Sequence, residues 1–544
     1  MTDTPPAPTS PPDPPASVAA KRSGLLRSSL IFSSFTLLSR FMGFARDLVI
    51  TARIGASGTI AADAYYTALA FPNLFRRIFA EGAFSSAFVP AYAKALARDG
   101  EDEADILASD ALATLAMSTL VLMVVAQLTM PWLMLAFRSG FVDTPDKFAL
   151  TVTLTQITMA YLPCMSIYAH LSGVLNARNR FILSGAAPIL LNLWMLALVL
   201  PAKTPVQGAY FASIGVVIAG ISQAALLVWG CNRSGAKVHW RLPRLTPPVK
   251  ALIMAAVPGA LAASASQINV WVSGTLVSHV DGAVSWLSVC DRLYQLPQGL
   301  VGVAIGVALL PQLTRAVMSG DKTESTRTLD EATIFAMALT LPAAAALIIM
   351  PYFLIDGLFT RGEFTSFDAR QTAQALLQYG WGVPAFVLAQ ITNRAFFANH
   401  DTRTPMIVAL VSVAVNIAAG VTLFHLIGVP GVAAATSLAS WVNVIVMSVI
   451  LHRRGLYSPD RKAVSRLIRL VFASLALAAL LAFAAYRQEA LKALLSKEVA
   501  ILLVSASAAL VYPVLLIASG GLTVAEIKSA LRRKKGAAPA LPEA

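Results

Sequence analysis

The chain has 544 residues, 57% of them hydrophobic and 13% charged, with a mean hydropathy of +0.69 and a formal charge of +14. A soluble domain carries about 25% charged residues and about 45–50% apolar ones, so this composition excludes a soluble enzyme and requires a lipid solvent. Three cysteines, Cys164, Cys231 and Cys290, each in or beside an apolar run, make no disulfide framework and no metal-ligand spacing.

In chain order, residues 1–23 come first, with seven prolines between positions 5 and 15 plus Asp3 and Asp13. They read as a disordered cytoplasmic tail, since a signal peptide would need an early apolar region. A membrane-crossing helix needs about 20 mostly apolar residues. Such stretches recur at 27–50, 64–92, 108–137, 149–175, 182–201, 208–230, 250–278, 283–314, 331–357, 371–398, 405–427, 430–451, 466–486 and 498–519, which makes fourteen. The predicted fold is an all-α polytopic membrane protein. Its parts are an N-lobe of six spans over 24–232, a cytoplasmic linker over 233–249, a C-lobe of six spans over 250–455, an accessory pair over 456–522 and a basic cytoplasmic tail over 523–544.

Pro72, Pro163, Pro258, Pro297 and Pro384 interrupt spans, which a bundle tolerates where neighbours or a watery cavity satisfy the freed backbone groups. Roughly three-quarters of the loop Lys and Arg lie on the amino-terminal side, which places both termini in the cytoplasm. Arg53, Arg138, Lys147 and Lys203 count among the cations of the opposite loops. Most of the +14 is therefore topological and makes no case for nucleic acid.

Several signatures recur at one offset. Pro90 in AFVPAYAKAL matches Pro311 in ALLPQLTRAV, Pro163 and Ala177 match Pro384 and Ala398, and Tyr65 matches Trp286, each pair 221 residues apart. A shared offset argues for duplication, and six spans fit in one period. Because six is even, the copies enter the membrane from the same side as parallel repeats, with a central cavity between them. The last two spans are either lipid-facing accessory helices or a groove for a lipid tail.

A charge at the bilayer centre costs about 2.5–3.5 kcal/mol on insertion scales, so it usually faces a cavity and works there. In the first span, SRFMGFARD, Arg40 and Asp47 lie about 20° apart around a helix and Arg46 about 120° from Arg40. Either the cavity is wide or the helix is disturbed near Gly43. The second span holds Asp63, Arg76, Arg77 and Glu81. Arg77 and Glu81 are spaced as an i,i+4 pair, structural or gating, and Asp63 is either loop or functional. Arg292 lies about 15 Å into its span, beside Asp291, which either neutralises it or leaves it to an interface cluster with Arg40, Arg46 and Arg76. Such a cluster should want an anion, because arginine offers a planar fork of donors and stays charged.

There is no phosphate-binding G-x-x-x-x-G-K-[ST] loop and no histidine pattern with ligand spacing. SRFMGFARD, DAYYTALAFPNLFRRIFAEGAFSSAFVP, DRLYQLPQGLVGVAIGVALLPQL and DTRTP together resemble the MurJ/MviN family of lipid II flippases, within the multidrug/oligosaccharidyl-lipid/polysaccharide exporter superfamily. The resemblance implies fourteen helices, two six-helix lobes, a cationic cavity and a polyprenyl-tail groove on the last two helices. It implies a transporter rather than an enzyme, which carries the undecaprenyl-diphosphate-linked peptidoglycan precursor lipid II to the outer face of a bacterial inner membrane by alternating access. Its partners would be lipid II, the membrane and the cell-wall synthesis machinery.

By motif, Arg40, Arg46, Arg76 and Arg292 take the places of the family's essential cavity arginines. Asp47 adjoins its phosphate-binding arginine, and Asp63 and Glu81 match acids tied to function or gating. Asp291 joins them as a supporting acid. No cofactor is implied; coupling to the membrane potential or to a cation stays open. Some relatives bind sodium through acids and amides on the seventh and eleventh spans, but the seventh span here offers only Gln267 and Asn269, so a sodium site is not supported. The rivals are an exporter of another polyprenyl-linked saccharide or of drugs, a lipid-diphosphate transferase and a cell-wall scaffold. Drug antiporters favour acidic cavities, a transferase would need clustered aspartates, and a scaffold would not need the arginines.

Overall fold

A computed structural model describes residues 16–76 and 85–521, and among these there are helices and no strands. The first nine α-helices are α1 (Ala16–Ile54), α2 (Ile60–Arg76), α3 (Ser85–Arg98), α4 (Glu101–Leu128), α5 (Met130–Phe137), α6 (Pro145–Met159), α7 (Tyr161–Ala177), α8 (Phe181–Val199) and α9 (Pro205–Arg233). Eight more follow: α10 (Pro247–Val277), α11 (Ala283–Met318), α12 (Lys322–Ile349), α13 (Pro351–Phe359), α14 (Ser366–Gly380), α15 (Val383–Ala398), α16 (Arg403–Ile427) and α17 (Val429–Arg453). The chain closes with α18 (Arg461–Tyr486), α19 (Gln488–Leu494) and α20 (Lys497–Ala518).

The offset of 221 reappears in the fold. It carries the bounds of α4 onto those of α12 and the bounds of α6 onto those of α14. Asn179 and His400, non-glycine residues with φ of 60° and 58°, turn the chain at matched positions. The strap after each set of helices is pinned alike: His239 N–H donates to Ser109 Oγ at 3.0 Å, and Asp460 N–H to Asp330 Oδ2 at 3.2 Å. Packing repeats as well, with α1 on α8 and α10 on α16, α8 on α9 and α16 on α17, α4 on α7 and α12 on α15. Outside the repeat, α18 packs on α12, and α20 on α18 and α13.

Four predicted spans are each two helices end to end. Pro131, Pro351 and Pro384 sit in the first turn of α5, α13 and α15, where the absent N–H is no loss and a new helix can start; α6 gives way to α7 at Ala160. Residues 16–23, expected to be disordered, are helical, because past Pro15 the Ala-rich stretch contains no further proline. Nor is α1 disturbed near Gly43: it is continuous to Ile54.

Among the described residues nine helical stretches are long and apolar enough to cross a membrane. Arg40, Arg46, Asp47, Asp63, Arg76, Asp291 and Arg292 lie on α1, α2 and α11. Exposed leucines and phenylalanines on α18 and α20, such as Phe472, Leu475, Leu502 and Leu510, suit a lipid-facing surface.

Candidate functional site: an arginine cavity beside a polar seal

A cavity of about 700 Å³ opens between α1 and α11, with Gln390 of α15 on its wall. Arg40, Arg46 and Asp47 reach it from one copy of the repeat, and Arg292, Gln295 and Gln298 from the other. The three charged residues of α1 share it although they span a broad arc of the helix, so of the two readings left by the sequence the wide cavity is the right one.

Arg46 is 8% exposed. Its Nε and Nη2 donate to Asp47 Oδ1 at 3.0 and 2.7 Å, and its Nη1 donates to Asn192 Oδ1 at 3.0 Å. Asn192 is fixed in turn, donating to the Ser39 carbonyl at 2.9 Å. Gly43 lies under that amide: a Cβ there would sit 3.5 Å from Asn192 Oδ1, so α8 can approach closely. The other oxygen of Asp47 pairs with Arg292 Nε at 3.1 Å. One carboxylate therefore bridges an arginine from each copy, and the Arg292 side chain keeps 42% of its surface open. Arg40, exposed, lies over the α11 backbone, where a Cβ on Gly299 would stand 2.6 Å from its Nη1. Three cations and one anion thus line the cavity.

The remaining predicted residues fall elsewhere. Asp291 bonds to Tyr294, whose ring stacks on Tyr379 at 4.5 Å. Arg76 Nε donates to Asn73 Oδ1 at 3.1 Å, and its field reaches Tyr161, which also feels Arg46. Glu81, with Arg77, lies outside the described residues.

Asp63 occupies a second site, at the end of the bundle where α1 turns into α2. Fully buried, it accepts from Lys147 Nζ at 2.9 Å, Gly282 N–H at 2.8 Å, Ser285 N–H at 3.0 Å and Ser285 Oγ at 2.7 Å. It thereby caps the amino end of α11, a helix of the other copy, where unpaired N–H groups and the helix dipole favour an anion. Lys147 Nζ also pairs with Asp281 at 2.7 Å. Asp368 does the converse from α14, accepting from Ser57 N–H at 3.0 Å, Ser57 Oγ at 2.5 Å and Trp286 Nε1 at 3.0 Å. The Glu363 N–H adds a bond to the Ala52 carbonyl at 2.9 Å, and an apolar cluster joining Ala56 and Phe141 to Val277 and Phe364 fills the spaces.

The sequence placed Lys147 and Arg138 in solvated loops. Both are buried in this seal, at 3% and 7% exposure, because the opposite copy closes over them. Sequence reasoning also missed Asn192, the three glutamines, Asp368 and Arg394. Arg394 follows Gln390 by one turn of α15, and its Nη1 is buried without a hydrogen-bond partner. The only signal for it was a lone arginine in an apolar stretch. Among the described residues no group of three or more His, Cys, Asp or Glu could hold a metal ion.

Residues 50–504 match the family model for the lipid II flippase MurJ. The chain is 40% identical over 451 residues to the "Probable lipid II flippase MurJ" of Rhizobium meliloti, covering 82% of this chain and 84% of that protein. It is 36% identical over 522 residues to the protein of the same description from Rhizobium tropici, covering 94% and 98%. With the lipid II flippase MurJ of Burkholderia cenocepacia it shares 34% over 466 residues, 84% of this chain and 89% of the relative. A solved structure of a lipid II flippase MurJ in an inward closed conformation superimposes with a TM-score of 0.75 at 25% identity, over 90% of this chain and 98% of that one. An inward-facing multidrug resistance MATE family transporter of the MOP superfamily shares the fold, with a TM-score of 0.65 at 13% identity over 78% and 97% of the two chains.

Proposed function

The chain belongs to the lipid II flippase MurJ family, and from that premise we propose that Arg46 and Arg292 hold the diphosphate of lipid II while Arg40, on the same cavity, takes other anionic groups of its headgroup. The protein is a transporter, not an enzyme: it moves lipid II across a membrane for cell-wall synthesis. The observation that carries the residue roles is the single carboxylate of Asp47 shared by Arg46 and Arg292. A diphosphate can replace it with several oxygens and satisfy both guanidinium forks at once.

In this reading fourteen spans form two six-helix lobes related by the 221-residue repeat, plus an accessory pair, with both termini in the cytoplasm. The polar seal then faces outward and the cavity opens inward. Lipid II enters with its polyprenyl tail left in lipid along α18 and α20. The anion displaces Asp47, the bridge between the lobes is lost, and the lobes rock until the seal opens. A headgroup carrying about two negative charges gains about 4–5 kcal/mol on moving outward through 100 mV, inside negative. That is enough to drive net export without ATP.

The test is depletion of the native flippase with rescue by Arg46→Ala or Arg292→Ala. Losing a charge-assisted contact of this kind costs about 2–5 kcal/mol, so neither variant should restore growth, and externally added lipid II-cleaving toxin should find little precursor to cut. Normal rescue with normal external cleavage would overturn the assigned roles.

A further inference from the structure

Arg138 belongs neither to the cavity nor to the ion pairs of the seal. It caps the carboxyl end of α5 and turns inward. Its Nε donates to Thr67 Oγ1 at 3.2 Å and its Nη1 to the Phe137 carbonyl at 2.7 Å, both neutral acceptors. Asp63 is the acid whose field reaches it, and that carboxylate is already held by Lys147 and by α11. From the other copy α10 lies on the guanidinium: a Cβ on Gly274 would collide with Nη1 and Cζ. Two further bonds fasten α10 there, Trp271 Nε1 to the Ala136 carbonyl at 3.1 Å and Thr275 Oγ1 to the Phe137 carbonyl at 3.0 Å. Arg138 is the charged group on a small cavity otherwise lined by Thr67 and by apolar side chains such as Phe71 and Trp271.

A buried guanidinium with neutral partners and no counter-charge in contact is costly to keep, and the group itself is suited to binding phosphate. Its cover is the helix that must leave when the seal opens. We propose that Arg138 is an anion-binding residue of the outward-open form: hidden under α10 while the seal is closed, uncovered when α10 parts from α5, and there to receive the diphosphate on its way out. This rests on the flippase reading above.

Two measurements test it. In proteoliposomes, Arg138→Met should flip lipid II about tenfold more slowly, the size of one charge-assisted contact, with the loss in rate rather than in affinity measured from the inner side. Arg138→Lys, which keeps the charge, should recover at least half the rate. A wild-type rate for Arg138→Met, or equal loss in both variants at equal melting temperature, overturns the assignment. The second measurement uses inorganic diphosphate and no lipid II. The added methyl in Gly274→Ala wedges α10 away, and calorimetry on Gly274→Ala in an Arg46→Ala/Arg292→Ala background, which removes the cavity site, should show diphosphate binding about tenfold tighter than with Arg138→Met added. Equal affinities overturn the assignment, whereas an intact diphosphate difference together with an unsubstituted protein that fails to flip lipid II overturns the flippase reading instead.

Discussion

The seal and the cavity both bring charged side chains together between the two copies of the repeat, and they differ in how completely those charges are matched. In the seal Asp63 has four donors, and Lys147 divides its charge between two carboxylates. In the cavity three arginines, Arg40, Arg46 and Arg292, line the wall with one carboxylate, Asp47, which pairs with Arg46 and Arg292. A saturated network holds one arrangement, since removing any member strands the rest. An under-matched cluster is a site, since an arriving anion completes it. The same residue types thus make a lock in one place and a receptor in the other, and the difference lies in the count of partners.

Two substitutions probe that contrast, and a third, away from both sites, is its control. The largest effect is expected of Lys147→Met, which leaves Asp63 buried without its cation; breaking a buried pair costs about 3–5 kcal/mol. The seal should open, seen as faster thiol labelling of a cysteine placed at Ala56, buried in the apolar cluster beside the network, while diphosphate still binds in the cavity. Unchanged labelling would mean that Lys147 is not part of the lock.

Asp47→Asn acts in the opposite sense. Freed of their shared carboxylate, Arg46 and Arg292 should bind inorganic diphosphate about tenfold more tightly, the worth of one charge-assisted hydrogen bond, and flipping should slow because release is harder. Weaker binding would show that Asp47 positions the arginines rather than competing for them.

The smallest effect is expected at the DTRTP turn, away from both sites. There the hydroxyl and N–H of Thr404, with Arg454, hold the Asp401 carboxyl down to about 2. A depressed carboxylate contributes stability above its unfolded value of about 3.9, and that stability is lost as the pH falls toward 2. Asp401→Asn should therefore lower the melting temperature slightly at pH 7, with the gap closing only in strong acid, and flipping should be unaffected; an exposed pair of this kind contributes about 0.2–1 kcal/mol.

Much of this was legible in the sequence because lipid imposes simple rules. Long apolar stretches must be helices that satisfy their own backbone, and an offset shared by Pro90, Pro163 and Tyr65 with their partners gave the repeat that the bounds of α4, α6, α12 and α14 follow. Costly arginines in α1 and α11 marked the cavity for the same reason. What the sequence could not decide was which charges meet. Arg138 and Lys147 looked like loop cations, and Asp63 could have been loop or site. Only the closing of one copy over the other buried them, and only the packing of α8 on α1 gave Arg46 its Asn192 partner. Hydropathy is a property of each segment and is written along the chain, whereas the pairing of charges depends on distances between helices far apart in sequence, which only the tertiary fold sets.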